Sequence, residues 1–318
     1  MEMIFLGTSS GTPTKDRNVS GVSIKMTGSK SWYLVDCGEG TQHQILRTNL
    51  SLKKLDSIFI THAHGDHCYG LPGLLASAAM AGRTDALKII APQAIKEFIE
   101  VVAKSTELRL SYEVDFIEIE SLSERFSTED FLIDVIEVSH RVPSYAFSFI
   151  ERNIDKKLNT EKLLEEGIES GPIWGKLQSG ADVTLDDGEI LHYEDYLLPG
   201  RKPRMVIVCG DNDNPYLLKE YAEQANVLVH EATYTEEVAQ KVGKYPQHSS
   251  AKIVAQFAES IALKNLVLTH FSPRYSDGID RVGGSLSEIE AEARKYFSGN
   301  LVLANDFDIF RMNKNGDL

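Results

Sequence analysis

The chain has 318 residues, 42% of them hydrophobic and 25% charged, and its formal net charge is -14. This is enough apolar sequence for a sizeable core, within reach of one large α/β unit. The acidic balance argues against a protein that wraps nucleic acid through nonspecific charge attraction.

Cysteine usage and the length of the apolar runs indicate the cellular compartment. Cys37, Cys68 and Cys209 are odd in number and lack C-x-x-C spacing, so no disulfide framework is expected. The first residues, MEMIFLGTSSGTP, lack the basic start and long apolar stretch of a secretory signal. No apolar run approaches the roughly 20 residues that span a bilayer. We therefore expect a cytoplasmic protein that does not insert into a membrane.

Apolar runs recur along the chain and predict buried β-strands. These runs lie at 1–7, 31–38, 55–62, 87–92, 203–211, 225–232, 264–271 and 299–306. Amphipathic helices are predicted at 93–105 and at 251–263, where the apolar residues fall on one face. Strands that alternate with helices predict an α/β fold.

Many strand ends carry a residue that can bind a metal ion. These residues are Asp36, His62, His140, Asp211, His230 with Glu231, His270 and Asp306. Loops at one end of the strands converge on a single crevice in α/β folds, which is where functional residues collect. A surface polar residue is the alternative for any single member, but the repetition favours a shared site.

Residues 151–203 interrupt the strand pattern. They are charged, turn-rich and poor in long apolar runs, with 7 Lys or Arg against 12 Asp or Glu. A short helix is predicted near 160–166. We predict an insertion that projects from a single domain spanning residues 1–318.

A dense histidine cluster, THAHGDH at 61–67, follows the strand predicted at 55–62. His62 and His64 alternate along an extended segment, so their side chains point to the same side. Asp66 and His67 follow in a turn, which lets one loop present two pairs of ligands to two centres. Imidazole and carboxylate donors suit zinc and also tolerate manganese or iron. Solvated histidines on a polar loop are the alternative, which the preceding strand disfavours.

Four donors cannot complete two metal centres, so further ligands must come from elsewhere in the chain. The candidates are His140, Asp211 and His270, each at the end of a predicted buried strand. Asp211 has two carboxylate oxygens and can bridge two ions.

These motifs resemble the metallo-β-lactamase superfamily and, more narrowly, the ribonuclease Z family of tRNA 3′-end processing nucleases. The resemblance covers essentially the whole chain. It rests on FLGTSSGTPTKDRN at 5–18, DCGEGTQHQ at 36–44, THAHGDH at 61–67, SHRVPSYAF at 139–147, GDNDNP at 210–215, HEATY at 230–234, QHSSA at 247–251 and LTHFSPRY at 268–275. It implies an αβ/βα four-layer sandwich, with helices outside two mixed sheets and a protruding arm inserted at 151–203.

The resemblance implies two zinc ions per subunit, with manganese or another divalent metal as the alternative. One ion is held by His62, His64, His140 and Asp211, and the other by Asp66, His67, Asp211 and His270. Asp66 is implied as the base that acts on the bridging water, His248 as the leaving-group acid, and Glu231 as the residue that orients His248. From the residues alone, His248 reads equally well as a helix-entry residue before a serine N-cap, and His230 as a packed histidine.

The resemblance also implies residues that contact RNA. Lys15, Arg17 and Asn18 contact the acceptor stem or the 3′ end through phosphates, and Arg274 adds a phosphate contact near the metals. Gly171, Pro172, Gly175 and Lys176 belong to GPIWGKLQSG, which matches the glycine-rich tip of the family's arm, its exosite for the tRNA elbow. Plain turns are the alternative for the loops of Lys15 and Arg274.

Two features depart from the family pattern. Asn212 stands where the family commonly has threonine, beside the bridging carboxylate. The predicted arm is acidic, whereas an exosite for tRNA should be locally basic.

The implied function is a zinc-dependent endoribonuclease that cleaves pre-tRNA at its 3′ end and leaves a 3′-hydroxyl, with 3′ exonuclease action on other RNAs. The family implies a homodimer in which the arm of one subunit holds tRNA for the metals of the other. The alternative is a phosphodiesterase of the same fold that acts on non-tRNA or small diester substrates. A noncatalytic RNA-binding protein is disfavoured because the ligand set is complete.

Overall fold

The computed structural model describes residues 1–152, 154, 156–275 and 284–318. The chain divides into two compact units, the first formed by Met1–Ile150 with Arg204–Leu318 and the second by Glu151–Pro203. The second unit spans the same residues as the predicted insertion, of which residues 153 and 155 lie outside the described part. Among the described residues, no helix has the length and apolar character of a membrane span.

The regular elements of the described residues follow in chain order. The strands are β1 Glu2–Gly7, β2 Gly21–Lys25, β3 Trp32–Val35, β4 Leu55–Phe59, β5 Leu87–Ala91, β6 Val114–Glu118, β7 Phe126–Ser127, β8 Phe131–Val138, β9 Ser144–Glu151, β10 Lys157–Leu158, β11 Val183–Thr184, β12 Ile190–Leu191, β13 Leu197–Leu198, β14 Met205–Cys209, β15 Val227–Glu231, β16 Asn265–Thr269, β17 Asn300–Leu303 and β18 Ile309–Arg311. The α-helices are α1 Thr41–Leu46, α2 Gly65–Cys68, α3 Leu71–Met80, α4 Gln93–Thr106, α5 Thr160–Glu165, α6 Pro172–Gln178, α7 Lys219–Ala222, α8 Glu236–Val242, α9 Ala251–Ser260 and α10 Leu286–Arg294. Short 3-10 helices lie at Leu52–Lys54, Ile119–Ser121, Tyr193–Tyr196 and Pro215–Leu218.

The first unit is built on two mixed sheets of seven described strands each. The first sheet has the order β18-β1-β2-β3-β4-β5-β6, and the second has the order β17-β16-β15-β14-β9-β8-β7. Strands β3 to β6 run parallel, as do β14 to β17, whereas β1, β2 and β18 pair antiparallel. The parallel strands therefore end at one edge of each sheet, which is where the loops that carry function lie.

Aromatic side chains fill the space between the two sheets. Phe59 of the first sheet lies 5.1 Å, between ring centroids, from Phe147 of the second, and Tyr33 lies 5.2 Å from Phe131. These four side chains belong to one buried cluster that includes residues of both sheets. Adjacent residues of a strand point to opposite faces, so the strand neighbours of these aromatics point away from the space between the sheets.

Helices cover the outer face of each sheet. Ile58 packs in a cluster with Leu74 of α3, and Leu228 packs in a cluster with Val254 and Phe257 of α9. A strand buried on both faces requires a nearly continuous apolar sequence, which is what these strands have. The predicted αβ/βα four-layer sandwich is confirmed.

Two backbone hydrogen bonds, one between the sheets and one within the second sheet, connect the segments at the edge where the parallel strands end. The Tyr145 N–H donates to Thr61 O at 3.1 Å, and the Gly210 N–H donates to Tyr145 O at 3.1 Å. A Cβ atom at Gly210 would lie 2.6 Å from the Thr61 Cβ, so only glycine allows this approach. The loops that follow β4 and β14 are thereby held side by side.

The second unit has its own small core and two-stranded sheets β10-β13 and β11-β12. Its helix α5 confirms the short helix predicted near 160–166. The segment matched to the glycine-rich tip of the family's arm, 171–180, is largely helical, because residues Pro172–Gln178 form helix α6. Pro172 occupies the first turn, which its fixed φ favours, and Leu177 is buried in the unit's core. The Trp174 indole N–H donates to Ile168 O at 3.2 Å, which ties that ring to the same unit.

Candidate metal centre

Two groups of donor atoms lie side by side in the first unit. The first group consists of His62, His64, His140 and Asp211, whose donor atoms lie within 4.8 Å of one another. His64 Nδ1 lies 3.1 Å from both His62 Nε2 and His140 Nε2. Strands β4, β8 and β14 position these residues, which follow the carboxyl ends of the strands by two to five residues.

The second group consists of Asp66, His67 and His270, also within 4.8 Å of one another. His270 Nε2 lies 3.2 Å from Asp66 Oδ2 and 3.3 Å from His67 Nε2. Asp66 and His67 lie in the single-turn helix α2, and His270 follows β16 with a left-handed φ of 57°.

Asp211 lies between the two groups and presents one oxygen to each. Its Oδ2 lies 3.6 Å from His62 Nε2 and 3.7 Å from His140 Nε2. Its Oδ1 lies 3.3 Å from His67 Nε2 and 3.4 Å from His270 Nε2. The structure therefore brings together all seven predicted ligand side chains around a carboxylate with bridging geometry.

Outer hydrogen bonds fix which ring nitrogen carries the proton in four of the five histidines of the donor groups. His140 Nδ1 donates to Gln247 O at 2.9 Å, and His67 Nδ1 donates to Asp36 Oδ2 at 2.7 Å. In a neutral imidazole, when one ring nitrogen donates its proton to an outer partner, the other ring nitrogen carries a lone pair.

The Nδ1 atoms of His62 and His270 each contact a threonine hydroxyl. His62 Nδ1 lies 3.0 Å from Thr61 Oγ1, and His270 Nδ1 lies 3.1 Å from Thr233 Oγ1. Each hydroxyl donates to a carboxylate, Asp36 behind Thr61 and Glu231 behind Thr233, and therefore accepts from the histidine. Four Nε2 lone pairs thus converge on Asp211.

This donor set fits divalent cations. Imidazole lone pairs and carboxylate oxygens that converge on one place repel one another unless a positive charge lies between them. In metal-binding proteins, the ring nitrogen that does not bind the metal typically makes an outer hydrogen bond like those described above, and this bond orients the histidine. Burial lowers the pKa of His62 well below its ordinary value. Burial also opposes the charge on His67, but Asp211, Asp66 and Asp36 raise its pKa well above the ordinary value, so a cation entering there competes with a proton.

His248 lies at the margin of the second group and is held by Glu231. Its Nδ1 lies 3.1 and 3.0 Å from the two Glu231 oxygens, and Glu231 is buried. Burial lowers the pKa of His248, but Glu231 and Asp211 raise it, to about 9 in balance. The donor atoms of Asp211, His248 and His270 also lie within 4.8 Å of one another. The ring can therefore hold a proton beside the site at neutral pH.

A cleft of about 380 Å³ opens on the two groups. Its lining includes Gly11, His64, Asp66, Arg141 and His248. The Gly11 N–H donates to Asp66 Oδ2 at 2.7 Å, which orients that carboxylate. Arg141 was not predicted as a site residue, although it directly follows His140. It is exposed, and its guanidinium lies 5.3 Å from the ring centroid of Tyr245.

The loop that carries Gly11 is braced from inside the protein. Arg17 Nη1 donates to Thr8 Oγ1 at 2.6 Å and to Ala304 O at 2.8 Å. Asp306 accepts from Thr8 Oγ1 at 2.7 Å and from the Asn18 N–H at 2.6 Å. Asp306 therefore anchors this loop and stands outside the two donor groups.

The residues predicted to contact RNA have different surroundings. Lys15 and Arg274 are exposed, whereas the Arg17 guanidinium is engaged within the protein. In the second unit, Gly171, Pro172, Gly175 and Lys176 are exposed at and within α6. No ion pair of Lys176 is found among the described residues.

Asn212, the departure from the family pattern, pairs with His230. The Asn212 Nδ2 lies 3.0 Å from His230 Nε2, and His230 Nδ1 lies 2.8 Å from the Glu231 carbonyl. Asn212 Oδ1 accepts from the Ser139 N–H at 3.2 Å and from the Asn214 N–H at 3.0 Å. Both paired side chains are fully buried. His230 is thus a packed histidine, and Asn212 links the loops that carry His140, Asp211 and Glu231.

We expect Asn212→Ala to lower the free energy of unfolding by about 1–3 kcal/mol, because buried donors and acceptors lose their partner. Urea denaturation with and without chelator measures this change. The matched control is Asn214→Ala, since Asn214 is exposed and makes no side-chain cap hydrogen bond; its effect should stay within about 0.5 kcal/mol. Equal losses in the two variants would contradict a linking role for Asn212.

A family model and named relatives are similar to this chain. A family model described as Anti-Pycsar protein Apyc1 matches residues 1–165. The protein named Ribonuclease Z of Marinobacter nauticus is 51% identical over 320 residues, which cover 100% of this chain and 98% of that protein.

Solved structures show the same fold. The metallo-β-lactamase fold protein YhfI from Bacillus subtilis has a TM-score of 0.66 at 16% identity, with 97% of this chain and 98% of that chain covered. The short form of human tRNase Z has a TM-score of 0.65 at 24% identity, with 98% of this chain and 100% of that chain covered.

Proposed function

The chain belongs to the ribonuclease Z family, and from this we propose that its seven clustered ligands hold two divalent ions for the cleavage of pre-tRNA. It is a metal-dependent hydrolase of the metallo-β-lactamase fold, an endoribonuclease that processes tRNA 3′ ends. The observation that carries the two-ion proposal is Asp211, whose oxygens each face a different group of histidines.

The proposed ligands divide as the two donor groups do. One ion is held by His62, His64, His140 and Asp211, and the other by Asp66, His67, Asp211 and His270. Imidazole and carboxylate donors favour zinc and also accept manganese. When bound, such ions stabilise negative charge on phosphate and lower the pKa of water.

Two side chains of the protein carry out the two proton transfers of the reaction. Asp66, oriented by the Gly11 N–H, accepts the proton of the attacking water. His248 donates a proton to the departing 3′ oxygen, and Glu231 holds its Nδ1 so that Nε2 is free to donate. The products are a 3′-hydroxyl on the tRNA and a 5′-phosphate on the trailer.

Phosphate contacts are proposed for three exposed cations: Arg141, which lines the cleft, and Lys15 and Arg274. Arg17 and Asn18 are proposed to act on RNA indirectly, since they brace the loop that carries Gly11. Arg17 was expected to contact phosphate itself, and its internal hydrogen bonds favour the bracing role.

The second unit is proposed to be the family's arm, with Gly171, Pro172, Gly175 and Lys176 at the tRNA elbow. The proposal extends to a homodimer in which the arm of one subunit holds tRNA for the other's site. We place the enzyme in the cytoplasm, which fits its three free, buried cysteines.

A phosphodiesterase of the same fold that acts on non-tRNA or small diester substrates is the second candidate, because the donor groups by themselves do not select the substrate. A 3′ exonuclease action on other RNAs remains part of the first proposal. Both candidates use the same donor groups and differ in substrate.

The deciding experiment uses protein purified without chelator. Metal analysis should give two divalent ions per subunit, and the mapped ends of one cleaved pre-tRNA should be a 3′-hydroxyl and a 5′-phosphate at a single junction. Shortening by single nucleotides would identify exonuclease action. Hydrolysis of bis(p-nitrophenyl) phosphate without RNA cleavage, across zinc and manganese, would overturn the first candidate in favour of the second.

A further inference from the structure

A second pocket, of about 490 Å³, adjoins the cleft and is not part of the donor groups. Its lining includes Asp213, Tyr234, Glu236, Gln240, Gln247 and His248. Of the proposed ligands and proton-transfer residues, His248 lines both the cleft and this pocket. We call it the Tyr234 pocket. Its volume is in the range of small-molecule sites, roughly 300–1,000 Å³.

The position of His248 identifies which part of an RNA chain lies next to this pocket. The departing oxygen must come within hydrogen-bond reach of His248 Nε2, because Nδ1 is held by Glu231. In cleavage that leaves a 3′-hydroxyl, this oxygen belongs to the ribose on the 5′ side of the broken bond. The nucleoside that carries it therefore lies within one sugar of His248, next to the Tyr234 pocket.

The wall of the pocket offers an aromatic surface in a fixed position. The Tyr234 ring is half-buried and stands at 76° to the His248 ring, with centroids 6.1 Å apart. The Arg274 guanidinium lies 5.2 Å from the Tyr234 centroid. The Ala251 N–H donates to Tyr234 O at 2.8 Å, which fixes the backbone. Nucleobases of any sequence stack on aromatic rings of this kind.

The polar groups of the pocket suit a base and a ribose better than a phosphate. Asp213 and Glu236 are acidic, Gln240 and Gln247 are neutral amides, and Lys244 is basic. Carboxylates repel a second phosphate but accept hydrogen bonds from base N–H groups and ribose hydroxyls.

Gln247 couples the pocket to the metal ligands. Its backbone has a left-handed φ of 52°, a conformation that is unfavourable for an L-residue. In this conformation its carbonyl accepts from His140 Nδ1 at 2.9 Å, while its side chain lines the pocket. Strain of this kind persists where the surrounding structure requires it, often at ligand sites.

We propose that the Tyr234 pocket binds the nucleoside whose 3′ oxygen departs, with its base against the Tyr234 ring. This inference rests on the proposed function. It assigns the base on the 5′ side of the cleavage junction to this pocket and the trailer to the cleft.

The test is a thermodynamic cycle that combines a substitution at Tyr234 with removal of one base from the substrate. The measured quantity is kcat/KM for each combination of enzyme and substrate. Pre-tRNA is prepared with an abasic nucleotide directly 5′ of the junction, or directly 3′ of it. For the wild type, removal of the 5′ base should lower kcat/KM about tenfold. Tyr234→Ala should lose about tenfold on intact pre-tRNA and almost nothing more on the 5′-abasic substrate, whereas Tyr234→Phe should retain both the activity and the base dependence.

The 3′-abasic substrate is the internal control, because the 3′ base does not lie in the Tyr234 pocket. The decrease in kcat/KM from removing that base should therefore multiply with the decrease from Tyr234→Ala. The assignment would be overturned if the losses in kcat/KM from Tyr234→Ala and from removal of the 5′ base multiplied. It would also be overturned if the losses from Tyr234→Ala and from removal of the 3′ base failed to multiply. Thermal midpoint and metal content report whether each variant is folded and loaded. Tyr234→Leu, which fills space without an aromatic face, replaces the alanine variant if that variant unfolds.

A wild type that cleaves no pre-tRNA would refute the proposed function and leave the pocket testable. Trinucleotides with a 3′-hydroxyl, with or without their last base, are then compared as inhibitors of bis(p-nitrophenyl) phosphate hydrolysis. The last base should improve the inhibition constant about tenfold in the wild type and not in Tyr234→Leu. Equal constants for the two trinucleotides in the wild type would overturn the pocket assignment.

Discussion

Replacing Asp211 by alanine is expected to lower kcat/KM for pre-tRNA cleavage by on the order of 10⁴-fold, the largest effect of any single change. Its two oxygens face separate histidine groups, at 3.6 and 3.7 Å on one side and 3.3 and 3.4 Å on the other. One substitution therefore removes a donor from both centres and leaves five imidazoles without the carboxylate that offsets the charge of two cations.

Metal content separates a shared ligand from an ordinary one. Mass spectrometry of purified Asp211→Ala should show loss from both centres, whereas His64→Ala removes a donor of the first group alone and should lose about one ion. The matched control is Asp85→Ala, an exposed aspartate in the loop before β5. Wild-type metal content and activity in Asp211→Ala would contradict the bridging role.

Replacing His248 by alanine should lower kcat/KM for RNA about 10²–10⁴-fold, because the departing ribose oxygen is a poor leaving group without a proton. Bis(p-nitrophenyl) phosphate releases a stable phenolate that needs no proton. Its hydrolysis should therefore fall far less, about tenfold at most, and the contrast between the two substrates measures the contribution of the acid.

The same variant decides whether His248 is an acid or a ligand, since its donor atom also lies near Asp211 and His270. An acid can be removed without loss of metal. Glu231→Gln should then give an intermediate loss on RNA, because Glu231 orients the His248 ring and raises its pKa. Equal losses on both substrates together with loss of metal would identify His248 as a ligand.

Local sequence was sufficient for the alternation of strands and helices and for several of the clustered residues, whereas the four-layer arrangement was implied by the family resemblance. Apolar runs such as 55–62 and 203–211 predict strands because a buried parallel strand needs side chains that tolerate burial on both faces. Residues at the carboxyl ends of such strands meet at one edge, so His62, His140, Asp211 and His270 could be named together. Their roles as ligands rest on the family resemblance and remain proposals.

Features that depend on distant contacts were not predictable in this way. The segment 171–180 contains three glycines, which disfavour a helix, but Pro172 at the start of α6 and the burial of Leu177 stabilise the helix. The internal role of Arg17 depends on Ala304 and Asn305, nearly three hundred residues away. The local sequence does not show that Arg17 forms hydrogen bonds within the protein while Lys15 stays exposed.

Sequence by itself determined the chemistry available to this protein: imidazoles and carboxylates, placed at strand ends by the periodicity of the apolar residues. Tertiary structure alone decided how that chemistry is directed. Asp36, Thr61, Thr233 and the carbonyl of Gln247 set the histidine protons, and Tyr234 faces a pocket beside His248. The physical reason is that periodicity reports which face of an element is buried, whereas a hydrogen bond between remote loops depends on how the sheets pack.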